Sequence, residues 1–366
     1  MADGAISGTL SVLFLFDVSE EIRLDELCKI LGVPPPGREP LFRQPAPEYV
    51  QFERPPVTEP LKAPAFAEGG PFRGQVAYYD YGVVSLKLEL PFQGGWDDAI
   101  DLAARWMNAP ELEQRAAEAI RWHVGRARPA LVKPYQDQLS EDYFVFHLRD
   151  ISNEHGCPLT AERLLEDHGH LIAQIVRGER ARFSTAEQQE ILESRMSYYD
   201  TDLAVVGWSA ALIYDTPEGA APTIQLLEYA NTQLLEFRHY DAVLTSLLTD
   251  VYRKLEKGVG FWRRWGLARE AGRLNTIRLD VRELAERVDN SIKFLSDMFA
   301  ARFYRMAAAR IGVRDYRSLV DRKLDSAGDL YSFMMDQFHQ GRAFILELMV
   351  VVILIIELVY LFERKS

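Results

Sequence analysis

The densest grouping of chemistry-bearing side chains is Glu166, Asp167, His168, Gly169 and His170, a carboxylate–imidazole run of the kind that ligates metal ions. Two histidines two residues apart do not share a helix face, however, and Leu164, Leu165, Leu171, Ile172 and Ile175 around them follow helical spacing. His168 then reads as a core residue on an apolar face, and neither a metal nor a cofactor is expected. A second polar stretch, EYANTQLLEFRHYD, places Glu228, Asn231, Glu236, Arg238, His239 and Asp241 on one helix. It reads as a ligand site or, more plainly, as the solvated face of a coiled coil with inter-helix ion pairs. No HExxH, P-loop, GxGxxG or GxSxG occurs, and nothing pairs a nucleophile with a base. No catalytic residue is assigned, and the chain is read as a non-enzyme.

Surface chemistry is more specific. The turn Phe261-Trp262-Arg263-Arg264-Trp265 sets aromatic rings beside guanidinium groups, which suits a membrane interface or stacking on RNA. It lies in a basic region: residues 253–323 hold 18 Lys/Arg against 9 Asp/Glu, whereas residues 1–252 hold 21 against 39. Lys254, Lys257, Arg263, Arg264, Arg269, Arg273 and Arg278, with Phe261, Trp262 and Trp265, are the expected contacts for RNA or anionic lipid. The plainer alternative is that these arginines line solvated helix faces.

The elements that would carry these residues are long helices. Leu227, Ala230, Leu234, Phe237, Asp241, Leu244, Leu248, Val251 and Leu255 step by three and four, a heptad seam with one polar intruder, Asp241. Either Asp241 pairs with an arginine of the facing helix and sets register, or it sits at the rim. A second seam runs from Leu274 to Met298, and the glycine-bounded turn between the two predicts an antiparallel pair. A third helix from about 314 leads into AFILELMVVVILIIELVYLF, residues 343–362. At about 1.5 Å per residue this run would cross roughly 30 Å of hydrocarbon. Ala343, Leu348, Val352, Ile356 and Phe362 mark the expected membrane anchor; Glu347 and Glu357 are intramembrane polar groups in that reading, placed to snorkel or to meet a partner helix.

Ahead of the helices, residues 1–220 read as an α+β head. Ser11–Phe16, Gln75–Tyr81, Val83–Leu90 and Tyr143–Leu148 have strand character, and helical spacing recurs between them. A Pro-rich excursion covers about 34–72. Two cysteines without CxxC spacing exclude a disulfide framework and a Cys-based zinc module, and the N-terminus lacks the basic segment of a secretory signal. The expected architecture is therefore an α+β cytosolic head, a helical hairpin or stalk over 222–342, and a transmembrane helix over 343–362. That implies a tail-anchored, single-pass membrane protein with its N-terminal domain in the cytosol, on the bacterial inner membrane.

The order of LFLFDVSEEIRLDELCKILG, YYDYGVVSLKLEL, EDYFVFHL and LELMVVVILIIELVYLFERK resembles the "required for meiotic nuclear division" family. That family is a domain of unknown function with a C-terminal membrane helix. Asp80, Tyr81, Gly82, Val83 and Val84 are the most specific residues of the resemblance, together with the apolar segment. It implies a bacterial-type member and, by analogy with mitochondrial members, a tether that holds ribosomes near a membrane. The function expected is a self-associating homo-oligomeric scaffold in contact with membrane lipid, positioning a ribosome or RNA through its basic stalk. The alternatives are an oligomeric membrane pore or transporter subunit, motivated by Glu347 and Glu357, and an enzyme using the α+β head.

Overall fold

The structure is a computed structural model. It describes residues 6–35, 50–52, 54–62, 72–136, 138–151, 159–256, 264–290, 292–294 and 298–363. The chain runs β1 (Ile6–Asp17), β2 (Ser19–Ile22), α1 (Leu24–Leu31), β3 (Val50–Phe52), β4 (Val57–Pro60), β5 (Arg73–Tyr78) and β6 (Val83–Gly94). Next come α2 (Trp96–Trp106), α3 (Pro110–Ala127), β7 (Leu131–Pro134), β8 (Ser140–Asp150), α4 (Ala161–Arg177) and α5 (Thr185–Glu193). The rest is β9 (Arg195–Met196), β10 (Leu203–Val206), β11 (Ala210–Tyr214), α6 (Pro217–Glu256), α7 (Arg264–Asn290), β12 (Ile292–Phe294), α8 (Met298–Ile311) and α9 (Val313–Glu363). Most of the Pro-rich excursion lies outside the described residues; β3 and β4 fall within it.

Eight strands form one sheet in the order β4-β5-β6-β1-β8-β11-β10-β9. The long apolar β1 is its axis, antiparallel to β6 and β8, with Leu10 opposite Leu90 and Phe146, and Val12 opposite Leu88 and Phe144. Side chains alternate across a strand, and both faces of β1 are covered. Leu10, Val12, Phe14 and Phe16 join one core with Ala99, Ile100, Ala103, Ala119, Ile120 and Ile172 of the helices. Leu13 and Leu15 are buried on the opposite face, and Asp17 belongs to their set. Among the described strands the one parallel pair, β8 with β11, is joined through α4 and α5, the crossover that a parallel pair needs. Ser184 caps α5 by accepting from the amide of Glu187 at 3.3 Å.

Two compact units emerge: Met1–His239 with Arg287–Tyr316, and Tyr240–Glu286 with Arg317–Ser366. In the second, Leu247, Leu248 and Val251 of α6 share a core with Ala271 and Leu274 of α7 and Ala327, Leu330 and Met334 of α9. The two-helix antiparallel stalk is thereby corrected, because a third helix closes the core. The N-terminal half of the first seam is also diverted: Leu227, Ala230, Leu234 and Phe237 are buried in the sheet-containing unit.

The expected membrane architecture is overturned. Among the described residues, no helix is long and apolar enough to cross a membrane. Residues 343–362 are the end of the 51-residue α9, not a separate span. The side chains described there include Glu347 and Glu357, both exposed. The fold is mixed α/β around one large sheet, and the tail-anchored, single-pass placement with a cytosolic N-terminus falls with the anchor residues Ala343, Leu348, Val352, Ile356 and Phe362. The side chain of Phe362 lies outside those described.

Candidate functional site

The polar stretch of α6 does not face water. Glu228, Asn231, Thr232, Gln233 and Glu236 are all buried, with Thr232 fully enclosed. Burying such groups costs about 1–3 kcal/mol each where no partner is supplied, and tyrosines partner Glu228, Thr232 and Gln233. The hydroxyls of Tyr81 and Thr232 lie 2.8 Å apart, and Tyr79 hydrogen-bonds Glu228. Gln233 donates to the Tyr229 hydroxyl at 2.8 Å and accepts from Tyr304 of α8. Asn231 donates to the carbonyl of Leu227 within the helix at 2.8 Å. The YYDY sequence before β6 thus supplies the hydrogen-bonding partners that the amphipathic pattern of α6 alone would place in solvent.

Toward the C-terminal end of this buried half, α6 meets the end of β1. His239 Nδ1 lies 2.8 Å from Oδ2 of Asp17, whose side chain is 1% exposed. The ring of Tyr135 stacks on the imidazole with centroids 4.5 Å apart and planes at 18°. Arg238 pairs with Glu141 of β8, and Lys133 with Glu20 of β2 at 2.7 Å. Burial lifts the Asp17 carboxyl to about 8. Burial also pushes the His239 imidazole below its usual range, against an upward pull from Glu236. Burial first, then the charges of Asp17, Glu236 and Glu20, raise the Tyr135 hydroxyl. A carboxyl and an imidazole in contact can exchange a proton. With Asp17 enclosed and the imidazole covered by Tyr135, the pair is arranged to hold that proton inside the protein.

A second enclosed histidine sits where β4 meets α3. Glu59 accepts from Tyr78 at 2.7 Å and from Arg126 at 3.0 Å, and its Oε1 lies 2.7 Å from His123 Nδ1. Burial alone would raise the Glu59 carboxyl; the hydrogen bonds from His123, Tyr78 and Arg126 outweigh it and hold the group at about 2. Across the sheet-containing unit, Arg310 grips Glu190 through two bonds of 2.6 and 3.1 Å beside the exposed Trp208. These residues, with Arg177 and Ala309, line a cleft of about 340 Å³ whose arginines are already matched by glutamates.

The residues singled out in the sequence are scattered. His168 stacks on Trp96 at 4.7 Å, Glu166 and Asp167 point to solvent, and among the described residues no His/Cys/Asp/Glu group could hold a metal. Asp241 binds Lys323 of α9 at 2.6 Å, so its partner comes from the third helix and is not an arginine. Arg269 and Arg273 are exposed on α7. Arg278 is half-buried, donating to Asn275 at 2.9 Å and lying against Gly328. Lys257, Phe261, Trp262 and Arg263 lie outside the described residues, as do the side chains of Lys254, Arg264 and Trp265. Glu347 and Glu357 are exposed. Asp17, Tyr135, Glu59 and His123 were not singled out. The one signal for Asp17 was a carboxylate ending the apolar strand, and nothing local marks its partner.

A family model described as "Uncharacterized protein MJ0711, N-terminal domain" matches residues 7–221. The uncharacterized protein MJ0711 of Methanocaldococcus jannaschii is 18% identical over 229 residues, covering 63% of this chain and 68% of its own length. No solved structure matches. The matched region takes in Asp17, Glu59, His123 and Tyr135 and ends before His239. Neither description mentions the "required for meiotic nuclear division" family.

Proposed function

The chain belongs to the MJ0711 N-terminal-domain family, and we propose that it is a non-enzymatic assembly scaffold whose α9 gathers copies of itself. One observation carries this reading. Thirteen large apolar side chains between Phe344 and Tyr360 are each about half exposed or more, and they point around the whole circumference of the helix. A partner protein offering one groove would cover only one face. Full burial of such a side chain yields about 1.5–3 kcal/mol, so covering the exposed half of one face yields roughly 5 kcal/mol. That sits at the low end of what association costs. The same segment from several further copies offers largely apolar surfaces on more than one side and roughly doubles the gain. Glu347 and Glu357 would then sit where charges select packing geometry.

The non-enzymatic part of the reading rests on closure. The two carboxylate–imidazole contacts are enclosed, and Glu228, Thr232 and Gln233 of α6 are occupied by tyrosines. Light scattering on the full chain tests the scaffold. Assemblies larger than a dimer are expected for the wild type, with a shift toward monomer in Val352→Glu/Ile355→Glu. A wild-type monomer at all concentrations would overturn the reading.

A further inference from the structure

We propose that the Asp17–His239 contact is a proton-operated clasp on α6: the helix seated on the sheet holds a proton between the two side chains, and unseating that turn releases the proton to water. Its position gives the device its consequence. The chain passes from one compact unit to the other between His239 and Tyr240, within the continuous α6. Whatever holds His239 therefore holds the last turn of α6 that belongs to the sheet-containing unit.

Both oxygens of Asp17 are buried without a hydrogen bond of good geometry, and the imidazole at 2.8 Å is the group that faces them. The other charged and titratable groups around the pair are Glu236 and Arg238 on α6, Glu20 on β2, Glu141 on β8, Lys133 on β7 and Tyr135 beyond it. Arg238 and Lys133 are each engaged by their own carboxylate, Glu141 and Glu20. An ionised Asp17 would be stripped of water with neither oxygen hydrogen-bonded; retaining a proton removes that cost. The same carboxyl in water carries no proton above a pH of about 4. Seating the helix takes up one proton at Asp17 and opening returns it, with no other reactant.

The sign of the pH effect follows. With the seated carboxyl raised to about 8, opening becomes about tenfold easier per pH unit while the open form alone is ionised. His239 opposes this slope below about pH 6.5, where the open imidazole gains a proton that the seated one disfavours. Between about 6.5 and 8 the Asp17 slope stands alone, and above 8 it levels off.

Hydrogen exchange on the full chain tests the clasp, read as protection factors so that the base-catalysed intrinsic rate is divided out. Protection over Glu236–Ala242 is expected to fall roughly tenfold from pH 6.5 to 8 while Pro217–Leu227 holds steady. Asp17→Asn should make the first segment pH-independent. Arg238→Gln should lower its protection at every pH yet keep the slope, which separates a loosened helix from a lost proton. A flat wild-type profile, or an Asp17→Asn profile as steep as the wild type, would overturn the proposal.

Discussion

Glu59 and His123 close on each other from elements 64 residues apart: Nδ1 lies 2.7 Å from Oε1, and the ring's far nitrogen accepts the amide of Lys62 at 3.5 Å. With Nε2 taken by a backbone donor, the ring offers no free nitrogen to a substrate. The quartet with Tyr78 and Arg126 therefore fastens the edge strand β4 to α3, and its energetics should appear in stability, not turnover.

Glu59→Gln is expected to cost about 3 kcal/mol at neutral pH, the worth of a carboxyl held near 2 against an ordinary value of 4.5. Because the folded value is depressed, this stabilisation is complete above about pH 4.5 and drains away as pH falls toward 2. Urea midpoints from pH 7 down to pH 3 check it: the gap between wild type and variant should narrow as acid is added. A constant gap would mean that the loss is one of shape.

Gly82 stands at φ +100, and a β-carbon there would lie 1.7 Å from the carbonyl oxygen of Ser19. The turn cannot relax easily, because Val18 donates to Gly82 at 3.1 Å and Gly82 to Tyr79 at 3.2 Å. Gly82→Ala combines an unfavourable backbone region, about 1–2 kcal/mol, with a clash against main chain. A loss of about 3 kcal/mol or more is expected in chemical denaturation, whereas Gly125→Ala, with open space around it and no positive φ, should change stability little.

Asp241 and Lys323 are each about a quarter exposed, so solvent screens their 2.6 Å pair. Lys323→Met should cost only about 1 kcal/mol, and less at high salt. Asp241→Leu/Lys323→Met should restore the wild-type value or exceed it, since an apolar pair at a seam position needs no desolvation. A double-mutant cycle by denaturant unfolding reads the coupling directly. A double variant less stable than either single one would show that the ion pair fixes the helix arrangement.

Local pattern made much of the fold readable. Alternation over Val83–Leu90 marks β6, Ser184 and Glu187 announce the start of α5, and the three-and-four spacing of Leu248, Val251 and Leu255 marks the seam that packs among α6, α7 and α9. The membrane reading rested on local hydropathy alone, and among the described residues no helix is long and apolar enough to cross a membrane. The solvated-face reading of EYANTQLLEFRH failed because no helical period records that Tyr79, Tyr81 and Tyr304 bring hydroxyls to that face.

By itself the sequence determined which faces of strands and helices are apolar, where helices start, and that a long apolar stretch ends the chain. Those properties depend on neighbours within a few residues, where periodicity and capping act. Tertiary structure alone decided that Asp17 meets His239, that Glu59 meets His123, and that a third helix completes the core beside Asp241. Such meetings follow from strand order and register, which put groups far apart in the chain within one hydrogen bond of each other. No local spacing encodes that distance.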